Sequence, residues 1–393
     1  MSEQLIGHSP DLKRLRDEGY DIQVRSAHLL VRHVPYVTPQ RQVKLGVLVA
    51  PLGDVAGDRT ATPGDHTAYF AGETPSLADG TALRHIIESQ HKTLADGVEV
   101  DFKFSSKPPS GTYPDYYEKM TTYVDLLASQ ARRIDASATA QTFPVIEATE
   151  EDSVFKYLDT ASSRAGITAV SERLAIGKVA IVGLGGTGSY IIDLVAKTPV
   201  KEIHLYDGDR FISHNAFRSP GAPSVEQLRQ EPSKAEFFRD AYSPLRRNVI
   251  AHKYYINDSN VEELRAMEFV FVAFEGSDKQ GVVERLIEYG IPFVDVGMGI
   301  GVDNGALNGI LRVTTGTPAH HAHISKRNRI PFVGPDGPDE YASNIQVADL
   351  NALNAALAVI KWKKLLGFYA DLEQEHHSTY MTDGNALLNE DQT

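Results

Sequence analysis

Between positions 183 and 278 the sequence carries glycines, acids, an amide and two cations at a spacing that suits phosphate chemistry. Gly183, Gly185, Gly186 and Gly188 fall within six residues. Glycines at this density allow a tight turn and a close backbone approach to a phosphate, and a helix that follows supplies free N–H groups. Asp207 and Asp209 come next, where a carboxylate binds ribose hydroxyls; Asp207, ending the second strand, is the favoured one. Then come His214, Asn215 and Arg218, the lysine Lys234, and the run Glu275-Gly276-Ser277-Asp278. A dinucleotide site needs little beyond the glycine turn and one acid. Two cations, an amide and a late acid suit a triphosphate with a bound metal better. Arg218 and Lys234 can grip phosphate oxygens and neutralise charge developing on a pyrophosphate leaving group. Asp278 can cap the helix that follows it, hold Mg²⁺ bridging the phosphates, or do both. Taken singly, Asn215, Arg218 and Lys234 read as solvated loop and helix positions; their joint spacing favours the triphosphate.

The elements that must position these residues follow from the apolar pattern. Residues 179–182 form a short apolar run with the length of a buried strand, and Tyr190, Ile191, Leu194 and Val195 carry a helix stopped near Pro199. Glu202–Tyr206 reads as a second strand. Further runs at 249–255, 269–274 and 291–296 read as strands, and helices are expected near Lys234, over 261–267 and over Lys279–Tyr289. Residues 306–315 look like further strands, and 348–366 an alanine-rich helix containing Trp362. Strands alternating with helices, with the motifs at strand ends, predict an α/β, Rossmann-like, mostly parallel sheet. Ahead of it lies a different pattern. Residues 1–20 read as one amphipathic helix, 27–34 and 43–49 as strands, 83–94 as a helix, 98–104 as a strand and 116–134 as a longer helix. That is a smaller α+β domain. With the polar stretch 135–142 as linker, the expected domains are 1–142 and 151–393, and residues 151–176 look helical.

The chain has 393 residues, enough for two or three domains, with ordinary hydrophobic (42%) and charged (23%) contents. A formal net charge of −13 argues against nonspecific nucleic-acid binding. There is no cysteine, which excludes disulfides and cysteine-ligated zinc. The N-terminus is polar, without the apolar core of a signal peptide, and no apolar run reaches the ~20 residues of a membrane span. A cytoplasmic protein without membrane attachment is expected.

The motifs together resemble the ubiquitin-activating-enzyme superfamily in its bacterial ThiF/MoeB-like form. That family's pattern is G-x-G-G-x-G-S, D-x-D, S-N-x-x-R-Q, a lysine on the next helix and an aspartate after the fourth strand. This chain has Gly183-Leu184-Gly185-Gly186-Thr187-Gly188-Ser189, Asp207-Gly208-Asp209, Asn215 and Arg218, Lys234 and Asp278. It departs at His214, Ser219 and Lys279, where the family has Ser, Gln and Asn. The similarity spans roughly residues 155–370, and the layout resembles bacterial fusions of an uncharacterised N-terminal domain to a ThiF-like module.

The resemblance implies an ATP- and Mg²⁺-dependent adenylyltransferase that activates the C-terminal carboxylate of a ubiquitin-like protein or peptide. Gly183, Gly185, Gly186, Gly188, Asp207, Asp209, Asn215, Arg218 and Lys234 would bind ATP, with Arg218, Lys234 and Asp278 catalytic. It further implies a homodimer, in which Arg164, or alternatively Arg173, reaches the neighbouring subunit's nucleotide. The segment 315–343 would be the loop that crosses over the substrate's C-terminal tail. Many relatives pass the acyl group to their own cysteine, and many bind zinc through two CxxC pairs. This chain can do neither, so no thioester and no zinc are expected. His320, His321 and His323 read as loop surface, and His66 and Lys107 are left unassigned. The N-terminal domain would recognise substrate or a conjugating enzyme. Two other readings stay open: an NAD(P)-dependent oxidoreductase, which the first strand–helix–strand unit alone would fit, and a non-catalytic nucleotide-binding scaffold.

Overall fold

The computed structural model describes residues 2–53, 55–56, 59–148, 153–332 and 345–392. The chain divides into two compact units, Met1–Ile146 and Glu147–Thr393. Among the described residues no helix is long and apolar enough to cross a membrane.

The first unit opens with two helices, α1 (Ser2–His8) and α2 (Pro10–Asp17), rather than one. Pro10 lacks an N–H and so starts a helix more readily than it continues one. Strands β1 (Asp21–Arg25), β2 (His28–Val37), β3 (Val43–Pro51), β6 (Thr67–Ala71), β7 (Ile86–Ala95) and β8 (Val98–Ser105) build an antiparallel sheet in the order β1-β2-β3-β6-β8-β7. The two-residue strands β4 (Val55–Ala56) and β5 (Arg59–Thr60) pair separately. The expected helix over 83–94 is therefore an edge strand instead. Ala95 pairs with Val98, so Asp96-Gly97 is a two-residue hairpin turn, with Gly97 at φ 66°. This turn signal outweighs a weak helical spacing once β8 supplies hydrogen-bond partners. Helix α3 (Tyr116–Arg132) starts where the Asp115 carboxylate accepts the Glu118 N–H at 2.8 Å. Its buried face of Tyr116, Met120, Tyr123 and Leu127 packs with Leu29, Val31, Phe70 and Phe104 of the sheet.

In the second unit the region expected to be helical, 151–176, holds only short helices where it is described, α4 (Thr160–Arg164), α5 (Thr168–Ser171) and a 3-10 turn at Glu172–Leu174. Strands β9 (Lys178–Val182), β10 (Glu202–Tyr206), β11 (Val249–His252), β12 (Phe269–Val272) and β13 (Phe293–Asp303) then run parallel. β14 (Ala306–Gly316), β15 (His377–Met381) and β16 (Ala386–Glu390) add on antiparallel, giving the order β11-β10-β9-β12-β13-β14-β15-β16. Every residue of β12 is buried, as expected of a strand covered on both faces. Helices α6 (Gly186–Val195), α7 (Ser213–Ala216), α8 (Val225–Arg229), α9 (Lys234–Tyr242), α10 (Lys279–Tyr289), α11 (Ala322–Lys326) and α12 (Ala348–Leu365) complete the unit. The segment 261–267 is a 3-10 turn over Val261–Ala266. Ile191, Ile192 and Val195 of α6 share one core with Ala355, Ala358 and the fully buried Trp362 of α12. The polar C-terminal stretch, unassigned from sequence, supplies the hairpin β15–β16. Part of the expected crossover segment, 333–343, lies outside the described residues.

The glycine turn between β9 and α6 is packed as well as bent. Gly183 has φ 89°, and a Cβ there would lie 2.5 Å from the Ala273 carbonyl oxygen. A Cβ on Gly188 would overlap the Gly183 carbonyl, whereas one on Gly185 would meet nothing within 4 Å. Gly188→Ala is therefore expected to cost about 1–3 kcal/mol by overpacking. Gly185→Ala, at φ −67°, should stay within about 0.5 kcal/mol of the parent. Denaturant titration of both variants checks this, and equal stability of the two would contradict the packing account.

Burial of His376 and His377 at the start of β15 pushes both imidazoles down to about 4, with Lys361 adding to it at His376 and Arg329 at His377. An unfolded histidine titrates near 6.5, so below that pH the unfolded chain binds more protons than the folded one. The stability is fully present above 6.5 and is lost as pH falls toward 4. At pH 5 the loss comes to about 2 kcal/mol per histidine. Thermal unfolding between pH 7.5 and 5 should show the decline, and the double variant His376→Asn/His377→Asn should flatten it.

Candidate functional site

Two adjoining pockets open at the carboxyl ends of β9, β10 and β12, and Phe274 and Glu275 line both. The first is formed by Gly185, Gly186 and Thr187 at the start of α6, by Arg218, and by Gly297, Met298 and Gln346. The second lies beside Gly183 and the end of β10, with Asp207, Asp209, Tyr206, Tyr255 and Ile256. The structure thus brings the glycine turn, both aspartates and Arg218 to one sheet edge, the place where ligands bind in open α/β sheets.

The two aspartates differ. Asp207 is buried, and both its oxygens accept backbone donors: the Leu184 N–H at 2.6 Å and the Asp209 N–H at 2.8 Å. Burial raises its pKa against the opposing charge of Lys234. Its carboxylate therefore joins the glycine turn to the end of β10. Asp209 is more open; burial alone would raise it, yet hydrogen bonds from Lys234 and Tyr255 hold it below the usual carboxylate range. Both aspartates line the second pocket, and Asp209 is the more open of the two.

Lys234 is buried at the start of α9, its Nζ 2.6 Å from Asp209 and 3.8 Å from Asp207. It lines neither pocket. Asn215 is also buried, and its Oδ1 accepts the Ile212 N–H at 2.9 Å, closing the loop that carries Arg218. Arg218 is half-buried, and its Nε is buried without a hydrogen-bond partner. An orphaned guanidinium N–H beside the N-terminus of α6 is a donor that an anion would satisfy. His214 is exposed, and burial followed by the charges of Arg218 and Lys234 lowers its pKa.

Asp278 stands where the helix that follows it begins. It is exposed at the N-cap of α10, makes no side-chain cap bond and lines neither pocket. Glu275, three residues earlier, faces both. Burial raises its pKa, countered first by Lys279. Lys279 is buried and pairs with Glu275 at 2.9 Å and with Asp295 at 2.8 Å; Asp295 in turn pairs with Arg312 at 2.6 Å. Lys279, which in sequence is a departure from the resembled pattern, thus holds Glu275 in position. The sequence signal for Glu275 is its place directly after an apolar strand. Nothing local marks Gln346, Tyr255 or Met298, which reach the site from distant segments.

The remaining candidates lie elsewhere. Arg173 donates to the Gly367 carbonyl, and Arg164 ends the short helix α4. The His320 and His323 ring centroids lie 5.0 and 5.8 Å from that of His376, so His323 is half-buried rather than loop surface. Among the described residues no group of three or more histidines or acids is arranged to hold a metal ion.

Residues 160–318 match the ThiF family, and residues 10–160 match a domain of unknown function, DUF6791. No curated protein matches the chain. Among solved structures it is similar to E. coli MccB with ATP (17% identity, TM-score 0.44, covering 59% of this chain and 69% of that one). It is similar also to the microcin C7 biosynthetic enzyme MccB in complex with N-formylated MccA (17%, 0.45, 59% and 70%). A third similar structure is PaaA (17%, 0.42, 57% and 75%). The chain carries a ThiF family domain, preceded by an additional N-terminal domain.

Proposed function

We propose that the unit Glu147–Thr393 is an ATP-dependent adenylyltransferase that activates the C-terminal carboxylate of a peptide or ubiquitin-like protein. The observation that carries this reading is the division of the cleft at Glu275. An acid-lined pocket beside Asp209 suits a ribose, and an adjoining pocket with the glycine turn and the orphaned Arg218 Nε suits phosphates. A carboxylate oxygen of the substrate would attack the α-phosphorus, forming an acyl phosphate anhydride as pyrophosphate leaves. Arg218 neutralises the charge that develops there. Lys234, tied to Asp209, orients the ribose acceptor and lends positive potential.

Mg²⁺ fits this residue set in the manner usual for nucleotide sites, with one or two carboxylates and the rest phosphate oxygens and water. Asp278, at the N-cap of α10, and Glu275, at the junction, are the carboxylates that would hold it, and the ion would supply charge neutralisation on the phosphates. With no cysteine in the chain, the acyl adenylate passes directly to an external thiol or amine on a partner. We further propose a homodimer, with Arg164 or Arg173 acting across it, a conjugating enzyme among the partners, and a cytoplasmic setting.

Thermal unfolding with Mg²⁺–ATP, and separately with NAD⁺ and NADH, tests the ligand class. Saturation at ~100 times Kd adds roughly 2.7 kcal/mol of stability. The expected outcome is a rise in Tm with Mg²⁺–ATP alone. Arg218→Ala should weaken ATP binding about tenfold or more, equivalent to ~1.4 kcal/mol. Glu275→Gln and Asp278→Ala should each reduce the Mg²⁺ dependence of binding measured by calorimetry. A shift with the dinucleotides only would overturn the reading in favour of a redox enzyme. ATP binding without pyrophosphate exchange on any peptide or ubiquitin-like substrate would favour the scaffold.

A further inference from the structure

The second pocket contains a tyrosine bonded to the carboxylate that the adenylation reading gives to ribose. Tyr255 lines this pocket, and its hydroxyl donates to Asp209 Oδ1. The other oxygen, Oδ2, accepts Lys234 Nζ at 2.6 Å. Both carboxylate oxygens are thus engaged before a nucleotide arrives. The two donors differ in how readily they yield. Lys234 is buried, and a cation stripped of its partner there is costly. Tyr255 is 56% exposed, so a hydroxyl released from Asp209 meets water and loses little. The oxygen open to a ribose hydroxyl is therefore Oδ1, and Tyr255 holds it.

The ring of Tyr255 lies against the backbone between the two acids, where a Cβ on Gly208 would come 2.6 Å from it. The backbone that carries it is tied on both sides. Asn260 Nδ2 donates to the Tyr255 carbonyl at 2.9 Å, Asn260 Oδ1 accepts the Asn257 N–H at 2.8 Å, and Ile256 between them is buried. On the other side the Tyr254 hydroxyl donates to Glu263 at 2.8 Å, and its ring meets Tyr206 edge-on at 6.1 Å. With the backbone held, rotation of the exposed side chain is the motion left to Tyr255, and such rotations are fast.

We propose that Tyr255 is a gate on the nucleotide pocket. Its phenol occupies Asp209 Oδ1 in the empty protein and swings out when a ribose hydroxyl takes that oxygen. The proposal rests on the adenylation reading and adds a regulation of the same site. Closing the gate keeps the Asp209 charge paired in the absence of ligand, and opening it lowers the apparent affinity for any ligand that needs Oδ1. A ligand with phosphates and no ribose leaves the gate closed.

Calorimetry on the full-length protein with Mg²⁺–ATP, and with Mg²⁺–tripolyphosphate, which lacks the ribose, separates these cases. Tyr255→Phe keeps the ring and removes the donor; it should bind Mg²⁺–ATP about three- to tenfold tighter, with tripolyphosphate affinity unchanged. Gly208→Ala, which crowds the ring, should change ATP affinity in the same direction. Nitration by tetranitromethane, mapped by mass spectrometry, should rise at Tyr255 with ATP and not with tripolyphosphate. Equal or weaker ATP binding by Tyr255→Phe overturns the gate, as does protection of Tyr255 from nitration by ATP. Tighter ATP binding by Tyr255→Phe without pyrophosphate exchange defeats the adenylation reading and leaves the gate standing. Exchange with no gain in Tyr255→Phe defeats the gate alone, and no binding of Mg²⁺–ATP by any of the three proteins defeats both.

Discussion

The cleft depends on the Asp207 carboxylate. One of its oxygens receives the Leu184 N–H from the glycine turn and the other the Asp209 N–H from the end of β10. Two neighbouring strands thereby share one anionic anchor at the point where the ligand must enter. Removing such an acceptor would leave two buried N–H groups without partners, a larger loss than the bonds themselves contribute. The turn is further locked by the contact of Gly188 with the Gly183 carbonyl, which leaves no room for a side chain. Gly185, by contrast, has open space in front of it, and that is where the pocket lies.

Around this anchor the charges are arranged in two sets. The buried Asp207 and Lys234 join the more open Asp209 beside the second pocket. Glu275, Lys279, Asp295 and Arg312 form a chain of ion pairs that starts at the junction of the two pockets. Buried ions of this kind are weak contributors to net stability but costly to break, because a lone partner would be left in a poor solvent. They fix carboxylate positions in advance of a ligand. Arg218 belongs to neither set. Among the described residues Arg218 is the arginine that lines the first pocket, and its buried Nε has no hydrogen-bond partner, which is why it carries the anion-binding argument.

The first unit uses a different device. Its antiparallel sheet and α3 share a core, and the polar groups at one end of that core, Lys119, Tyr113 and Tyr123, reach loop backbone rather than one another. Tyrosine suits this work because its ring packs in the core while its hydroxyl reaches the loops. The loops preceding β6 and following β8 are held in consequence, and with them His66 and Ser105.

Much of this is readable from the chain alone, and the reason is locality. The glycine cluster, Asp207 and Asp209, and the continuous apolar strands carry their physical cause within a few residues, so β9, α6, β10, β12 and α12 stand close to where the pattern places them. The helical spacing over 83–94 misleads because it is weak and the hairpin turn at Asp96-Gly97 governs the segment. The β15–β16 hairpin escapes a sequence reading because its polar, partly exposed strands show no strong period. What the sequence by itself determined is a nucleotide-type strand–turn–helix unit, the acids after β10, Arg218 on the following loop, and a chain without thiol chemistry. Only the tertiary structure decided that Asp207 is buried and Asp209 more open, that Glu275 and not Asp278 lines both pockets, and that His66 meets Ser105. Each of those outcomes is set by burial and by partners distant in sequence, and no local pattern encodes them.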